Sequence, residues 1–364
     1  MAILLALFFQ EKLSPEDAKL FQEEIHRVEK LLDTANDKST VLYALARTWA
    51  AGGEYREAIE TLKKAAALNV GLDPTNDKIF EKLHATAEYK ALLTKVRADT
   101  PPIVNSQVAF TIQEQGLSPE GIAYDRSRNR FYVGSTTKHK IIECTPTGAC
   151  RDFATEVGEV LGLKIHNSTL WAASTTDLLH YSIPSAKLIH KYTGGRLFND
   201  LAINQQGDVF ITDTQAAAVY WINHATDRLQ LLNPELKVEA ANGIALSDDG
   251  SKLYVAGFPE GITVVDLPSG KFHPIPHPAD LCLATIDGLA FFKGALIAIQ
   301  NGIMTHRVAR YNLTPDLNAI ASFKILERRN PLFDGPTTGA IANGSFYFMA
   351  NTNDDPIKIL KLNP

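Results

Sequence analysis

The stretch Ser118-Pro119-Glu120-Gly121-Ile122-Ala123-Tyr124-Asp125 decides the fold, because its pattern returns five times further along the chain. Each copy opens on a key residue, which Gly follows in five copies and Asp200 in the other, and continues as a short apolar run. The later copies read Leu161-Gly-Leu-Lys-Ile, Asn199-Asp-Leu-Ala-Ile, Asn242-Gly-Ile-Ala-Leu, Asp287-Gly-Leu-Ala-Phe and Thr338-Gly-Ala-Ile-Ala. The key positions 120, 161, 199, 242, 287 and 338 recur every 38 to 51 residues, a spacing typical of repeat architectures.

The same order of strands follows each copy. After a turn such as Ser247-Asp-Asp-Gly250 comes a second strand, for example Arg130-Phe-Tyr-Val-Gly134. A third apolar strand and a more polar outer strand complete five units, whereas the sixth unit reaches Pro364 without an outer strand. The unassigned strand at 107–112 can fill that place and so remove the exposed edge between the first and last units. The sequence predicts an all-β six-bladed β-propeller over residues 103–364.

Residues 14–100 show helical periodicity instead. Helices are expected over 15–32, 40–51, 55–68 and 77–97, and Pro101-Pro102 marks the boundary with the strands. The second and third helices, separated by Gly52-Gly53, resemble a tetratricopeptide repeat. The matching positions are Leu42, Leu45, Ala46, Trp49, Gly53, Tyr55, Ala58, Leu62 and Ala65. One such repeat rarely stands alone, so we expect this segment to pack on its neighbour or on a protein partner.

The composition excludes two kinds of partner. The formal net charge is −5 and Lys and Arg form no block, whereas a nucleic-acid surface needs a basic stripe. Residues 1–9 form an apolar run shorter than the roughly 20 residues that span a bilayer, and no other segment is a candidate span.

We interpret residues 1–13 either as a truncated signal peptide or as a helix packed on the body. A periplasmic or secreted location is expected, with the cytoplasm as the alternative.

Three cysteines are too few for a disulfide framework or a thiolate zinc site. Cys144 and Cys150 flank a Pro-Thr-Gly turn, where they can face each other across a hairpin. Between a bond across this hairpin and two free strand thiols, we favour the free thiols.

Four of the six key residues carry side-chain oxygens suited to a hard cation. The first strand of each propeller blade lines the central channel, so the key side chains converge at one mouth. Glu120 and Asp287 supply two carboxylates, and Asn199 and Asn242 supply carboxamides. This all-oxygen set suits Ca²⁺, and without a cation the two carboxylates would repel each other. Each dipeptide alone is an ordinary turn former; four at equivalent positions favour a metal site.

With these residues the chain resembles the gluconolactonase/regucalcin (senescence marker protein) family and its relatives paraoxonase and diisopropylfluorophosphatase. The resemblance covers residues 105–364 and rests on Pro119-Glu120-Gly121, Asn199-Asp200, Asn242-Gly243 and Asp287-Gly288. It implies one calcium ion held by Glu120, Asn199, Asn242 and Asp287, with Asp287 also acting as general base or nucleophile in lactone or ester hydrolysis. Arg196 stands one position away from the Arg of gluconolactonases, which puts sugar-acid specificity in doubt. Gly121 stands where paraoxonases have an Asp for a second calcium.

Loops at the same mouth are expected to bind a small-molecule substrate. The candidate residues are His139, Arg196, Thr214, Phe258, Asn301 and His306. Arg196 either binds a substrate carboxylate or pairs with Asp200. The leading hypothesis is a calcium-dependent hydrolase of the lactonase/esterase type. The alternatives are a non-catalytic calcium-bound propeller scaffold with a helical interaction segment, and a metal-independent strictosidine-synthase-like enzyme.

Overall fold

The structure is a computed structural model that describes residues 15–35, 37–258 and 261–364. It divides into two compact units. The first unit contains the described residues up to Pro101 together with the segments 278–284 and 303–305, and the second contains the remainder. The two short segments had been assigned to the propeller from sequence. The expected signal peptide or helix at residues 1–13 lies outside the described residues.

The first unit is helical. Its helices are α1 (Pro15–Thr34), α2 (Lys38–Ala51), α3 (Tyr55–Ala67) and α4 (Ala87–Asp99), with short 3₁₀ turns at Pro74–Asn76 and Lys78–Leu83. The single helix expected over 77–97 is wrong. Thr86 has extended backbone and its hydroxyl accepts a hydrogen bond from the Tyr89 amide at 3.3 Å, so it caps α4 and separates it from the 3₁₀ turn. The tetratricopeptide resemblance stays a prediction.

A glycine lets α1 pack closely on the end of α2. A Cβ added to Gly52 would lie 2.4 Å from the Phe21 ring, and Phe21 meets Trp49 edge to face at 5.7 Å. The small residue expected between the two repeat helices therefore makes room for an aromatic side chain of the preceding helix. Over residues 15–35, 37–258 and 261–364, the helices are all too short or too polar to cross a membrane.

The second unit is built of antiparallel strands. In chain order they are β1 (Gln107–Ile112), β2 (Pro119–Asp125), β3 (Arg130–Ser135), β4 (Lys140–Cys144), β5 (Cys150–Thr155), β6 (Gly162–His166), β7 (Thr169–Ser182), β8 (Lys187–Ile203), β9 (Val209–Asp213), β10 (Ala218–Asn223), β11 (Arg228–Leu231), β12 (Ile244–Leu246), β13 (Lys252–Gly257), β14 (Gly261–Asp266), β15 (Phe272–Pro274), β16 (Ile286–Phe292), β17 (Ala295–Gln300), β18 (Arg307–Leu313), β19 (Ile320–Arg328), β20 (Gly339–Ala342), β21 (Ser345–Met349) and β22 (Ile357–Leu362).

Hydrogen bonds join these strands, within the described residues, into five sheets in a propeller arrangement. Four sheets have four strands, as expected: β2 to β5, β12 to β15, β16 to β19, and β20 to β22 with β1. The fifth sheet has six strands, β6 to β11. The sequence predicts six separate four-stranded sheets, whereas the hydrogen bonds between the described residues give five sheets.

The six-stranded sheet exists because β8 runs on where two strands with a break between them were expected. Phe198 pairs with Thr175 of β7 on one side and with Asp213 of β9 on the other. The outer strand expected at Lys187–Lys191 and the inner strand that follows Asn199 thus belong to one hydrogen-bonded ladder. The hydrogen bonds give no sheet boundary at this point.

The expected closure by the first strand is confirmed. β1 pairs with β22, with Phe110 opposite Ile359 and Ile112 opposite Ile357. It therefore supplies the outer strand of the sheet whose other strands come from the end of the chain. The core lies between neighbouring sheets. Phe131 and Val133 of β3, for example, share one buried cluster with Met349 and Ile357.

Cys144 and Cys150 form a disulfide with an S–S distance of 2.07 Å. The expectation of two free strand thiols is therefore wrong. The two residues are direct partners across the β4–β5 hairpin, and their Cα atoms are 4.1 Å apart. The turn residues between them fix this register, which brings the two sulfurs within bonding distance.

The six key stretches touch one another in a closed ring. A Cβ on Gly121 would lie 2.8 Å from the Leu161 carbonyl oxygen, and one on Gly243 would lie 2.5 Å from that of Asp287. Gly162 lies against Asn199 and Gly288 against Thr338 in the same way. Asp200, which replaces the glycine in the third copy, accepts a 3.4 Å hydrogen bond from the Ile244 amide. The Thr338 hydroxyl closes the ring by donating to the Glu120 carbonyl.

Substituting Gly162→Ala tests this backbone contact. The new Cβ would lie 2.5 Å from the Asn199 carbonyl oxygen and 2.8 Å from Asp200 Cα, and neither backbone atom can move without shifting a strand. We expect the free energy of unfolding, measured by urea titration, to fall by about 1–3 kcal/mol. The matched control is Gly250→Asn, because Gly250 has open space around its Cα and a φ of +71° that Asn tolerates. Equal stability of the two variants would contradict the contact.

Candidate functional site

Irregularities in the sheets aim the key residues. The register of β2 against β3 shifts between Pro119 and Ile122, that of β16 against β17 between Ile286 and Leu289, and that of β8 against β9 between Phe198 and Leu201. Glu120, Asp287 and Asn199 each lie inside one of these breaks. A β-bulge of this kind turns a side chain away from the regular alternation. Three of the four candidate ligands thus lie at a register break between two neighbouring strands of a sheet.

Asp287 is the most tightly held of the candidate residues. Its side chain is buried, and its Oδ2 accepts a 2.6 Å hydrogen bond from Asn301 Nδ2. A further side-chain hydrogen bond joins it to Asn242. Burial raises the pKa of the Asp287 carboxyl to about 6. The hydrogen bonds with Asn301 and Asn242 oppose this rise, whereas the charge of Asp200 adds to it. Asp287 is therefore fixed in orientation and easily protonated for an aspartate.

Glu120 is held in a negatively charged environment. Burial, followed by the charges of Asp287 and Asp200, raises the pKa of its carboxyl well above the ordinary value of 4.5. Part of the residue remains accessible, so the proximity of the two aspartates matters alongside burial. Glu120 and Asp287, which lie 167 positions apart in the sequence, are therefore close enough for the Asp287 charge to raise the pKa of Glu120.

Asn242 carries a buried oxygen with no partner. Its Oδ1 is inaccessible to solvent and accepts no hydrogen bond from the described residues, although Asn242 itself is bonded to Asp287. A buried acceptor left unpaired costs about 1–3 kcal/mol, so such atoms usually have a water or an ion as partner. The Asn199 side chain is also held by a hydrogen bond, since its Nδ2 donates to Thr214 Oγ1 at 3.0 Å.

A third carboxylate, Asp200, is neutralised from within the channel. Asp200 is buried and its Oδ1 lies 3.0 Å from Lys164 Nζ. The Arg196 amide donates to Asp213 Oδ2 at 2.7 Å. The two expected roles of the Arg196 side chain, pairing with Asp200 or binding a substrate carboxylate, both stay predictions. With Asp200 balanced by Lys164, Glu120 and Asp287 remain as two carboxylates without a cationic partner among the contacts described.

The oxygen donors fit a hard cation. Two unbalanced carboxylates match one divalent charge, and the orphaned Asn242 oxygen adds a neutral ligand. No group of three or more His, Cys, Asp and Glu side chains within the described ranges is arranged to hold a metal. The candidate set contains only two such residues, because carboxamides supply the others. The chemistry of the donors therefore suits Ca²⁺ better than zinc.

Two of the six predicted substrate residues contact the candidate ligands. Asn301 donates to Asp287, and also to the Pro336 carbonyl at 3.1 Å. Thr214 accepts from Asn199 and donates to the Ala241 carbonyl at 2.6 Å. Both side chains thus hold candidate ligand residues in position.

The other four lie in loops or at a strand surface. His139 is exposed with a φ of +52°, Arg196 is exposed within β8, and Phe258 and His306 are half-buried. No contact between any of these side chains and the four candidate ligands is described. Their role in substrate binding stays a prediction.

Lys164 and Asp200 are the residues that sequence reasoning missed. Asp200 gave a signal, since it is the one departure from glycine after a key position. Lys164 gave a weaker one, as the charged member of an otherwise apolar run. Lys164 also lines a channel cavity of about 270 Å³, formed by residues of all six key stretches such as Tyr124, Ala202, Leu246, Phe291 and Ile341.

Solved structures share this fold. A gluconolactonase from Xanthomonas campestris aligns with 72% of this chain and 98% of its own, at 14% identity and a TM-score of 0.54. Regucalcin from Agrobacterium tumefaciens, a calcium-binding protein, aligns with 70% of this chain and 93% of its own, at 18% identity and a TM-score of 0.53. The likeness is one of fold.

A third neighbour shows how far the chemistry on this fold varies. A streptogramin B lyase aligns with 71% of this chain and 98% of its own, at 14% identity and a TM-score of 0.50. No family model matches the sequence, and no curated protein matches it. Activity must therefore be argued from the site itself.

The raised pKa of Asp287 predicts an unusual pH dependence of stability. In the folded protein its pKa is about 6, above the ordinary 3.8, so between these values the folded state binds more protons than the unfolded state. Stability of the metal-free protein should therefore fall as the pH rises from about 4 to about 6, by up to about 3 kcal/mol from this group. Urea unfolding in chelator at several pH values measures it, and Asp287→Asn should remove this component.

Asp316→Asn is the control for that measurement. Asp316 is exposed, and hydrogen bonds from Thr314 and Asn318 lower its pKa, so its contribution has the opposite sign and is lost as the pH falls. An Asp287→Asn variant with the same pH profile as the unsubstituted protein would contradict the raised pKa.

Proposed function

We propose that this protein is a calcium-dependent hydrolase of the lactonase/esterase type, with its metal held at the mouth of the propeller channel. The observation that carries the proposal is the buried, unpartnered Asn242 oxygen beside Asp287. It is supported by Glu120 and Asp287, two carboxyls whose pKa values burial raises. The fold shared with a gluconolactonase and with a calcium-binding regucalcin agrees with this proposal.

In this proposal Glu120, Asn199, Asn242 and Asp287 hold the ion. A calcium ion at these residues would supply Lewis-acid polarisation of a substrate carbonyl oxygen. The hydrogen bonds that Asn199 donates to Thr214 and that Asn301 donates to Asp287 keep the ligand side chains in place, which limits the reorganisation needed when substrate binds.

Asp287 moves the proton. Its carboxylate accepts a proton from the attacking water, the acyl carbon–oxygen bond of the lactone or ester breaks, and the proton returns to the departing alkoxide. In the metal-free protein the pKa of Asp287 is about 6, and a bound cation would lower it, so the carboxylate is ionised and able to accept a proton at neutral pH. Direct attack by Asp287 on the acyl carbon is the alternative route. Asn301 orients the carboxylate in either case.

The substrate is proposed to be a small lactone or ester. His139, Arg196, Phe258 and His306 are the candidate substrate-binding residues, with Thr214 and Asn301 in supporting positions. Arg196 is exposed and its backbone is fixed by Asp213, so it suits an acidic group on the substrate.

We count six blades in this proposal. β8 pairs with β7 over its first part and with β9 over its last part. We therefore divide the six-stranded sheet at Phe198. One blade then contains β6, the two halves of β7 counted as separate strands, and the first part of β8; the other contains the last part of β8 with β9, β10 and β11. Six blades supply six channel positions, of which Leu161 and Thr338 carry no carboxylate or carboxamide.

We also propose a periplasmic or secreted location. The Cys144–Cys150 disulfide supports it, because disulfides persist in oxidising compartments and are rare in the cytosol. Free calcium is also available there.

Hydrolysis with and without a chelator tests the function. We expect turnover of a lactone or an aryl ester that EDTA removes and Ca²⁺ restores. Asp287→Asn should lower kcat/KM by about 10²–10⁴-fold, the contribution of a general base, whereas Asp316→Asn should leave it unchanged. Thermal unfolding of both variants checks that they are folded.

Each alternative gives a different outcome. Calcium binding without turnover of any lactone, aryl ester or phosphotriester would favour the scaffold. Turnover that is indifferent to chelator would favour a metal-independent enzyme and would overturn the calcium mechanism. Full activity of Asp287→Asn would overturn the role of Asp287 alone.

A further inference from the structure

A second cavity lies in the six-stranded sheet, away from the key residues. Its volume is about 400 Å³, within the range of small-molecule sites. Both halves of the sheet line it, with Trp171 and Tyr192 on one side and Ile222 on the other. These three side chains are buried, so the inner wall of this cavity, which we call the histidine cavity, is aromatic and aliphatic.

Four histidines give the cavity its name: His166, His180, His190 and His224. Among them, His180 packs directly on the buried Trp171. Its ring stacks on Trp171 at a centroid distance of 3.8 Å with the planes 13° apart. Its Nε2 is buried and has no hydrogen-bond partner among the described residues. A buried imidazole nitrogen of this kind needs a partner that the protein does not supply.

His180 is uncharged at neutral pH. Burial lowers the pKa of its imidazole to about 4. One of its two ring nitrogens therefore carries a proton and the other is an acceptor. A ligand group that both donates and accepts, such as a hydroxyl, pairs with Nε2 in either tautomer.

Three other polar side chains at the cavity already have hydrogen-bond partners. His166 Nε2 lies 2.9 Å from Asn167 Nδ2, and His224 Nδ1 lies 2.8 Å from Asp208 Oδ1. The Tyr192 hydroxyl donates to Asp227 Oδ1. These bonds hold two of the imidazoles to partners outside a shared centre, which argues against a metal held by the four histidines.

Charge selects against anions. Asp227 lines the cavity and Asp208 is bonded to His224 at its edge, whereas no Lys or Arg lines it. A carboxylate or phosphate would meet two acids without a cation to offset them. The occupant should therefore be uncharged, with a flat apolar body for the aromatic wall and Ile189, which is 53% exposed at the cavity.

We propose that the histidine cavity binds an uncharged aromatic alcohol, a phenol or naphthol, whose hydroxyl pairs with His180 Nε2 and whose ring contacts Tyr192, Ile189 and Ile222. This site is separate from the proposed hydrolase centre and does not depend on it. The aromatic wall supplies the apolar contact area, and the single hydroxyl supplies the partner that His180 lacks.

Calorimetric titration with 2-naphthol and naphthalene tests the site. The two probes differ only in the hydroxyl group. We expect 2-naphthol to bind one per chain and naphthalene to bind about tenfold more weakly, the usual effect of one neutral hydrogen bond. 2-Naphthoate, which carries a charge, should not bind.

The variant His180→Phe keeps an aromatic ring on Trp171 and removes Nε2. It should bind 2-naphthol about tenfold more weakly and naphthalene as well as the unsubstituted protein does. His273→Phe, an exposed histidine of β15, is the matched control and should change neither affinity. Ile189→Asp, at an exposed position that folding tolerates, should weaken both probes.

Three results would overturn the proposal. One is the absence of saturable 2-naphthol binding. Another is equal affinity of His180→Phe and the unsubstituted protein for 2-naphthol. The third is zinc binding at one ion per chain that displaces 2-naphthol and is lost in His180→Phe, since it would assign the cavity to a metal.

Discussion

The close approach of neighbouring inner backbones is the constraint on which the rest of the second unit depends. Where Gly121, Gly162, Gly243 and Gly288 follow a key residue, a Cβ would lie within 2.5 to 2.8 Å of backbone atoms in the next stretch. The stretches therefore pack main chain against main chain. Thr338 completes the ring by its bond to the Glu120 carbonyl.

This ring gathers oxygen atoms that the sequence keeps far apart. Three carboxylates converge, and Lys164 balances one of them. Burial raises the pKa of both Glu120 and Asp287, and nearby aspartate charges add to the shift. The Asn242 oxygen beside Asp287 has no partner among the described residues. A site of this kind is unfavourable for the isolated chain and becomes favourable when a cation occupies it. The stability lost at the ring and the affinity for an ion thus have one physical origin.

Much of this arrangement follows from the sequence because the repeat is local. The key stretch, the glycine after it and the turn that follows are read within ten residues, and strand 107–112 could be assigned by elimination. The pairing of Lys164 with Asp200 could not be predicted from the sequence, since it depends on how two stretches approach each other in space. The continuous β8 ladder and the break before α4 were also missed, because the first depends on pairing across blades and the second on one capping threonine. The Cys144–Cys150 bond needed the hairpin register.

Calcium titration into metal-free protein by calorimetry tests the central claim most directly. The account predicts one ion per chain, with binding weakened at least about tenfold in Asn242→Leu, which keeps the size of the side chain and removes its oxygen. Thermal unfolding in the presence of chelator checks that the variant is folded, because leucine also removes the side-chain hydrogen bond between Asn242 and Asp287. Calcium binding that is absent, or that is unchanged in Asn242→Leu, would contradict the account.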